Sequence, residues 1–190
     1  MDERHVISLD SRNTSITFEV AWIPGITVHG RFTAMHGKLE MPDDDIEHAE
    51  VSIDVAAESV STGIALRDTH LRGRRFLDAA NSPYITFRSE RVSRTNGSLE
   101  IEGTLTLRGI RRRITSRCPL NWAAGRGLTG TLSLGAEMEV PHTEHKVAAA
   151  RGLDRFNPLL AMIGREVRVR VEVVVPATQL LPALLPALGR

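Results

Sequence analysis

An alternation of apolar and polar residues with a period of two constrains this chain most. In the segment SITFEVAW, Ile16, Phe18, Val20 and Trp22 share one face of an extended chain, and the residues between them share the other. The same alternation recurs in VSIDVAA, LEIEGTLTLRG, LTGTLSLGAEMEV and REVRVRVEVVV. Strands with one apolar and one polar face are typical of antiparallel sheets, so the chain is predicted to be all-β.

The pattern predicts about eight or nine strands, near residues 4–10, 15–22, 28–41, 47–56, 83–94, 98–108, 111–122, 127–140 and 165–175. Asn96-Gly97 and Arg108-Gly109 are predicted to be tight turns between strands. A bulge between Phe32 and Met35 would keep both side chains on the inner face. Because many antiparallel strands leave exposed edges unless the sheet closes, we expect a closed antiparallel eight-stranded β-barrel.

Two internal segments and the C-terminus depart from the strand pattern. A short helical segment is predicted near 62–73, with Ser59, Ser61 and Thr62 as candidate caps and Gly73 as its end. A helical or loop excursion is predicted near 141–164. The β-barrel domain is therefore expected to span residues 1–176, followed by a Pro- and Leu-rich C-terminal tail, 177–190. The prolines of this tail favour an extended form over a regular helix.

Charge and cysteine content limit the partners of the chain. Its 24 basic and 23 acidic residues leave a formal net charge of +1, so no nucleic-acid partner is expected. A single cysteine, Cys118, cannot form an intrachain disulfide. Pro176, Pro182 and Pro186 interrupt the longest uncharged run, so no stable membrane span is expected. MDERHVISLD shows no secretory signal, which favours a cytoplasmic location, or a periplasmic or extracellular one if a signal has been trimmed.

The segment SVSTGIALRDTHLRGRRFLDAANSPYITFRS resembles the central signature of the polyisoprenoid-binding, YceI-like family. That signature combines an Arg-Asp-x-His-Leu helix with Phe-x-Asp and Phe-x-Ser positions. SITFEVAWIPGITVHGRFTAMHGKLEM, EGTLTLRGIRRRIT and IGREVRVRVEV are similar to the family's opening hairpin, a later hairpin and its closing strand. The resemblance covers about residues 5–176. It departs from the family pattern between Pro141 and Gly164, at Arg111 and Arg112, and after Pro176.

The resemblance implies a lipocalin-like barrel that holds a polyisoprenoid, an isoprenoid quinone or another long-chain lipid in its interior. The expected function is to bind this lipid for transport or storage, without catalysis and without any cofactor besides the lipid. Relatives are often dimeric, which makes a homodimer a candidate assembly. Alternation then assigns the cavity wall to Phe18, Val20, Trp22, Phe32, Met35, Val51, Ile53, Val55, Ile85, Phe87, Leu105 and Leu107. A barrel filled by its own side chains would show the same pattern.

The RDTHL segment places Arg67, Asp68 and His70 in the predicted helix. Arg67 and His70 are three residues apart and share a face, whereas Asp68 points elsewhere, so the three do not form a local triad. They either line the cavity mouth as a polar gate for a ligand head group or form buried hydrogen bonds that fix the helix, which is the favoured interpretation. A hydrolase-like enzyme using His70 and carboxylates at the mouth is an alternative function, as is a structural barrel without a ligand.

Two further motifs are predicted to be solvated. His142 and His145 in HTEH would bind a metal only on a helix with additional ligands, so a solvated loop and no metal site are expected. The three consecutive arginines 111–113 are expected to lie at solvated strand ends, although they could touch anionic lipid head groups.

Overall fold

Among the residues that the structure describes, most belong to a single antiparallel sheet of eleven strands. The computed structural model describes residues 5–23, 25–42, 45–95, 98–125, 129–141, 144–147 and 166–184. The strands are β1 (His5–Asp10), β2 (Thr14–Ile23), β3 (Ile26–Phe32), β4 (Met35–Met41), β5 (Glu50–Ala56), β6 (Val60–Ser61), β7 (Tyr84–Thr95), β8 (Ser98–Leu107), β9 (Ile110–Ala124), β10 (Thr131–Val140) and β11 (Val167–Pro176). The helices are α1 (Ala65–Arg72), between β6 and β7, and α2 (Ala177–Leu184), after β11. Two short 3-10 turns, Ile46–His48 and Ala57–Ser59, precede and follow β5.

In the sheet, apolar and polar side chains alternate between the inner and outer faces as the sequence predicts. On β10 and β11, Leu134 pairs with Val173 and Ala136 pairs with Val171, which places all four side chains on the inner face. The all-β prediction is therefore confirmed. The turn predicted at Arg108-Gly109 is also confirmed, because both residues have positive φ, 54° and 71°, as a two-residue hairpin loop requires. The other turn, Asn96-Gly97, lies outside the described residues.

The prediction of a closed eight-stranded barrel is wrong. The sheet is a curled half-barrel with the strand order β1-β4-β5-β7-β8-β9-β10-β11-β2-β3-β6. The segment 28–41 is not one bulged strand, because the chain bends at Thr33 and Ala34 and divides it into β3 and β4. These two strands lie near opposite ends of the strand order, and the corner is tied by Ala56 N–H donating to the Ala34 carbonyl at 3.0 Å. Alternation specifies which face a residue occupies and carries no information on where a sheet bends.

The two ends of the half-barrel differ. One end, here called the mouth, carries α1, the β8–β9 turn and residues 144–147. The opposite end, here called the base, carries the 3-10 turn Ile46–His48, the β9–β10 connection and α2. The largest fully buried apolar side chains include Met41, Ile46, Val175 and Leu180, which pack together in one core cluster. The base is therefore closed by packed side chains.

Helix α1 confirms the helical segment predicted near 62–73. It ends at Gly73, whose backbone N–H donates to the His70 carbonyl at 3.0 Å. Its N-cap position is Ile64, which makes no side-chain capping bond, so the predicted capping role of Ser59, Ser61 and Thr62 is wrong. Thr62 instead bonds to a residue within the helix, as described below.

The C-terminal tail is partly helical, which corrects the prediction of an extended form. Residues Ala177–Leu184 form α2, and Ala177 N–H donates to the Gly130 carbonyl at 2.9 Å. Ala177 and Leu180 are fully buried in the core. Burial of a leucine side chain contributes about 1.5–3 kcal/mol, which favours docking of this turn over the extended form that its prolines prefer. Residues 185–190 lie outside the described residues, and the division of the chain at 176/177 stays a prediction.

This C-terminal region contains the longest uncharged run of the sequence, for which no stable membrane span is expected. Within the parts of the chain that the structure describes, no helix combines the length and apolarity needed to cross a bilayer.

Candidate functional site: an apolar cavity with polar side chains at its mouth

The curled sheet encloses a cavity of about 610 Å³. Among the described residues, its wall is aliphatic and aromatic except for Arg67 and His70 at the mouth and Thr86, Ser116 and Cys118 along the strands. This volume lies within the range of about 300–1,000 Å³ that is typical of sites for small organic ligands. An apolar cavity of roughly 150 Å³ holds one benzene, so this one has space for about 24 carbon atoms, or roughly five isoprene units.

The cavity wall contains nearly all the residues that alternation predicted for it. The side chains of the twelve candidates share the apolar face of their strands. Met35 is the exception. It lies directly after the bend at Thr33 and Ala34, and it packs against the core without lining the cavity. The remaining candidates all line it, namely Phe18, Val20, Trp22, Phe32, Val51, Ile53, Val55, Ile85, Phe87, Leu105 and Leu107.

Two groups of wall residues were missed. The first group comes from strands whose alternation was visible in the sequence, and it includes Ile101, Leu134, Ala136, Met138, Val169, Val171 and Val173. The same signal that identified the other strands could have found them. The second group covers the mouth and comes from α1 and the segment after it, and it includes Ile64, Leu66, Leu71, Phe76 and Leu77. No strand periodicity extends into this segment, so alternation could not find them.

The polar residues of α1 hold the helix to the segment before it. Asp68 is buried, with 6% of its surface exposed, and its carboxylate accepts hydrogen bonds from the Thr62 backbone N–H (2.8 Å) and from the Thr62 hydroxyl. Arg67 Nε donates to the same hydroxyl oxygen at 2.7 Å, and its Nη2 donates to the Thr62 carbonyl at 3.0 Å. Arg72 donates to the carbonyls of Glu58 (2.7 Å) and Val60 (3.0 Å). For Arg67 and Asp68, this geometry matches the favoured interpretation of bonds that fix the helix.

The hydrogen bond from the Thr62 hydroxyl holds the pKa of Asp68 below its usual range, and Arg72 and Arg67 add to this through their charges. The folded-state pKa therefore lies below the unfolded value of about 3.9. The carboxylate stabilises the fold at pH values above about 4, and this contribution is lost as the pH falls through the folded-state pKa. We expect Asp68→Asn to lower the urea midpoint at pH 7 and to match the wild type in strong acid. Urea unfolding across this pH range measures the effect, and a constant difference at every pH would contradict it.

His70 occupies a different position from its two neighbours. It is exposed and lines the cavity at the mouth. The Asp68 carboxylate is directed to Thr62, so the two groups do not form an acid–base pair of the kind that positions a catalytic imidazole. The structure thus brings Arg67 and His70 to the cavity and places Asp68 behind them in the scaffold, and the gate role of Arg67 and His70 stays a prediction.

Residues 144–147 are held over the mouth by two arginines. Arg108, in the β8–β9 turn, donates to the carbonyls of Arg74 (2.9 Å), Arg75 (3.4 Å) and Lys146. Arg112 Nε donates to the Glu144 carboxylate at 3.3 Å. These bonds join the β8–β9 turn to both covering segments, so the cover of the cavity is anchored to the sheet.

Of the two histidines in the HTEH motif, the structure describes His145. His145 is fully buried, with its Nδ1 3.2 Å from the Pro141 carbonyl oxygen, so the prediction of a solvated residue is wrong. Its burial follows from the docking of the loop. His142 lies outside the described residues, and among the described residues no group of three or more His, Cys, Asp or Glu side chains could hold a metal ion. Arg111, Arg112 and Arg113 are all exposed, as predicted.

Cys118 lies within the cavity wall. It is buried, and desolvation raises the pKa of its thiol to about 11. Because the thiolate is the reactive form, its population at pH 8 is on the order of a hundredfold below that of an ordinary cysteine. We expect N-ethylmaleimide to label the folded protein slower by at least that factor than the urea-unfolded protein, as followed by intact mass. Labelling at equal rates would contradict this environment for the thiol.

Solved structures share this fold. BcnA of Burkholderia cenocepacia superposes with a TM-score of 0.72 at 15% sequence identity, covering 85% of this chain and 96% of BcnA. A polyisoprenoid binding domain from Saccharophagus degradans, implicated in plant cell wall breakdown, superposes with a TM-score of 0.65 at 14% identity, covering 92% of this chain and 99% of that domain. At these identities the likeness establishes the architecture.

Sequence relatives cover much of the chain. A UPF0312 protein of Vibrio parahaemolyticus is 30% identical over 146 residues, which are 72% of this chain and 77% of the relative. A UPF0312 protein of Vibrio cholerae is 34% identical over 106 residues, and the chain spans 56% of that relative's length. Residues 8–175 match the YceI-like domain. With the curled antiparallel sheet and the RDTHL helix at its mouth, this match shows that the chain belongs to the YceI-like family.

Proposed function

We propose that this protein binds a long-chain isoprenoid-type lipid, either a polyisoprenoid or an isoprenoid quinone, inside its cavity. The observation that carries the proposal is the apolar wall around about 610 Å³, with polar side chains at the mouth. A hydrocarbon chain needs an apolar enclosure, and its polar end would lie at the mouth, which Arg67 and His70 line. Transport or storage of the lipid is the role that such binding serves.

Burial of the hydrocarbon chain of the lipid is sufficient to make binding favourable. Each methylene transferred from water contributes about 0.8 kcal/mol, so one five-carbon isoprene unit contributes about 4 kcal/mol. Ordering the chain and restricting its motion offset part of this gain. A cavity that accommodates roughly five units therefore supports tight binding without any cofactor besides the lipid. The polyisoprenoid-binding description of the Saccharophagus degradans domain, which has the same architecture, supports the same class of ligand.

The two alternative functions have less support. A hydrolase-like mechanism needs a carboxylate beside His70, and the nearest one in sequence, Asp68, is engaged with Thr62. A structural barrel filled by its own side chains would not leave a cavity of this size. Binding without catalysis is therefore the function that the geometry supports best.

Organic extraction of the purified protein, followed by mass spectrometry, tests the proposal. We expect a stoichiometric long-chain lipid, or, for protein stripped of lipid, saturable loading with a long-chain isoprenoid quinone and with the short isoprenoid alcohol farnesol. Failure to extract or load any of these would refute lipid binding. The homodimer expected from the resemblance can be tested on the same samples by light scattering, with and without lipid.

A further inference from the structure

Apolar side chains extend from inside the cavity to the outer surface at the mouth. Ile64 and Leu66, at the start of α1, line the cavity and are nevertheless 53% and 70% exposed. Ile26, at the tip of the β2–β3 hairpin, is 48% exposed. This hairpin also lies at the mouth, because Val20 of β2 already pairs with Val167, the first residue of β11, and the chain continues beyond it. The mouth therefore has an exposed apolar rim, formed by Ile26, Ile64 and Leu66.

A group of cationic side chains lies at the same end. The single guanidinium of Arg108 bonds the backbone carbonyls of Arg74, Arg75 and Lys146, so these residues are held within a few ångströms of one another. The side chains of Arg74, Arg75 and Lys146 are exposed. We call Arg74, Arg75, Arg108 and Lys146 the basic cluster. It lies just past the last turn of α1, which is about 12 Å long, and the rim residues Ile64 and Leu66 lie at the first turn.

Among the described residues, three carboxylates lie near the basic cluster, and its four cations outnumber them. Asp68 is buried and engaged with Thr62, and Glu144 is paired with Arg112. Asp78 accepts a hydrogen bond from the neutral Asn81 side chain and keeps its negative charge, so the four cations of the basic cluster retain a surplus of positive charge. The positive charge of the basic cluster is a local feature, because the net charge of the whole chain is only +1. The mouth thus combines exposed apolar side chains with concentrated positive charge.

We propose that the mouth docks on a bilayer surface that contains anionic phospholipids. Cationic side chains are attracted to such a surface, and apolar side chains enter the boundary between head groups and acyl chains. A long isoprenoid chain leaves a bilayer at a cost of about 0.8 kcal/mol per methylene exposed to water. Docking would place the apolar rim against the acyl region, so the chain could pass into the cavity without crossing water. This proposal deepens the proposed lipid binding and rests on it for its purpose.

Vesicle flotation of the purified protein tests docking directly. We expect binding to vesicles that contain phosphatidylglycerol and little binding to vesicles of phosphatidylcholine alone. The double variant Arg74→Glu/Arg75→Glu is expected to lower binding to the anionic vesicles about 25-fold or more, since each of the two cations near the surface contributes about fivefold. The matched control is Arg91→Glu/Arg117→Glu, which makes the same change in net charge at exposed positions on the sheet wall, away from the mouth. It is expected to retain binding.

Equal binding to neutral and anionic vesicles, or equal losses in the two variants, would overturn the docking proposal. Farnesol binding, measured without vesicles, separates this outcome from failure of the proposed function. If farnesol binds but vesicles do not, docking is wrong and lipid binding stands. If vesicles bind through the basic cluster but no isoprenoid loads, lipid binding is wrong and docking stands. Thermal unfolding of both variants shows whether the substitutions leave the fold intact.

Discussion

Replacement of Ala136 by tryptophan is expected to abolish tight binding of a long-chain isoprenoid. Ala136 lies on β10 between Leu134 and Met138, and all three residues line the cavity. An indole ring there takes space that the proposed isoprenoid chain would occupy. Loss of burial for only four methylenes lowers the binding free energy by about 3 kcal/mol, which corresponds to about a hundredfold higher Kd. Titration with a long-chain isoprenoid quinone, followed by tryptophan fluorescence or calorimetry, measures this change.

The matched control is Ala21→Trp on β2. Ala21 is exposed on the outer face of the sheet, between Val20 and Trp22, which line the cavity. The same side chain added there is expected to leave the Kd unchanged. Ala136→Trp should also keep a melting temperature near that of the wild type, because the new ring enters a cavity and does not displace packed atoms. Unchanged quinone affinity in a folded Ala136→Trp protein would show that the ligand binds elsewhere.

The cavity wall was predictable because strand geometry is local. Side chains two residues apart share a face, so the spacing of Phe18 and Val20 or of Leu105 and Leu107 assigns them to the same side of the sheet. That rule needs no knowledge of which strands are neighbours. Eleven of the twelve candidates line the cavity, and the exception, Met35, lies directly after a bend.

The bend in the sheet and the structure of the mouth were not predictable in this way. The bend at Thr33 and Ala34 depends on contacts with Ser59 and Ala56, which are more than twenty residues away in sequence. The burial of His145 follows from bonds that Arg108 and Arg112 make to its loop. Helical spacing correctly predicts that the side chains of Asp68 and His70 point in different directions. It could not show that the partner of Asp68 is Thr62, since that bond depends on how the chain enters the helix.

Among the substitutions proposed in this protein, replacement of Gly37 by alanine is expected to lower the free energy of unfolding most. Gly37 lies on β4, paired with Leu9 of β1 and Ile53 of β5. A Cβ atom at this position would lie closer than 3.0 Å to the Ser52 carbonyl oxygen, which belongs to the backbone of the neighbouring strand. Backbone atoms in a paired strand cannot move aside without breaking the ladder. The added methyl should therefore cost about 3 kcal/mol or more, at the upper end of overpacking effects.

The control for this substitution is Gly135→Ala on β10. A Cβ at Gly135 would meet no heavy atom within 4 Å, and neither glycine has a positive φ. Reduced freedom of the unfolded chain should then stabilise the control by about 0.4–1 kcal/mol. For a chain of this size each kcal/mol corresponds to about 2–4 °C, so Gly37→Ala should melt roughly 6–12 °C or more below the wild type, while Gly135→Ala melts at or slightly above it. Circular dichroism melting curves measure both, and similar melting temperatures for the two variants would show that β4 and β5 are not packed as closely as the structure describes.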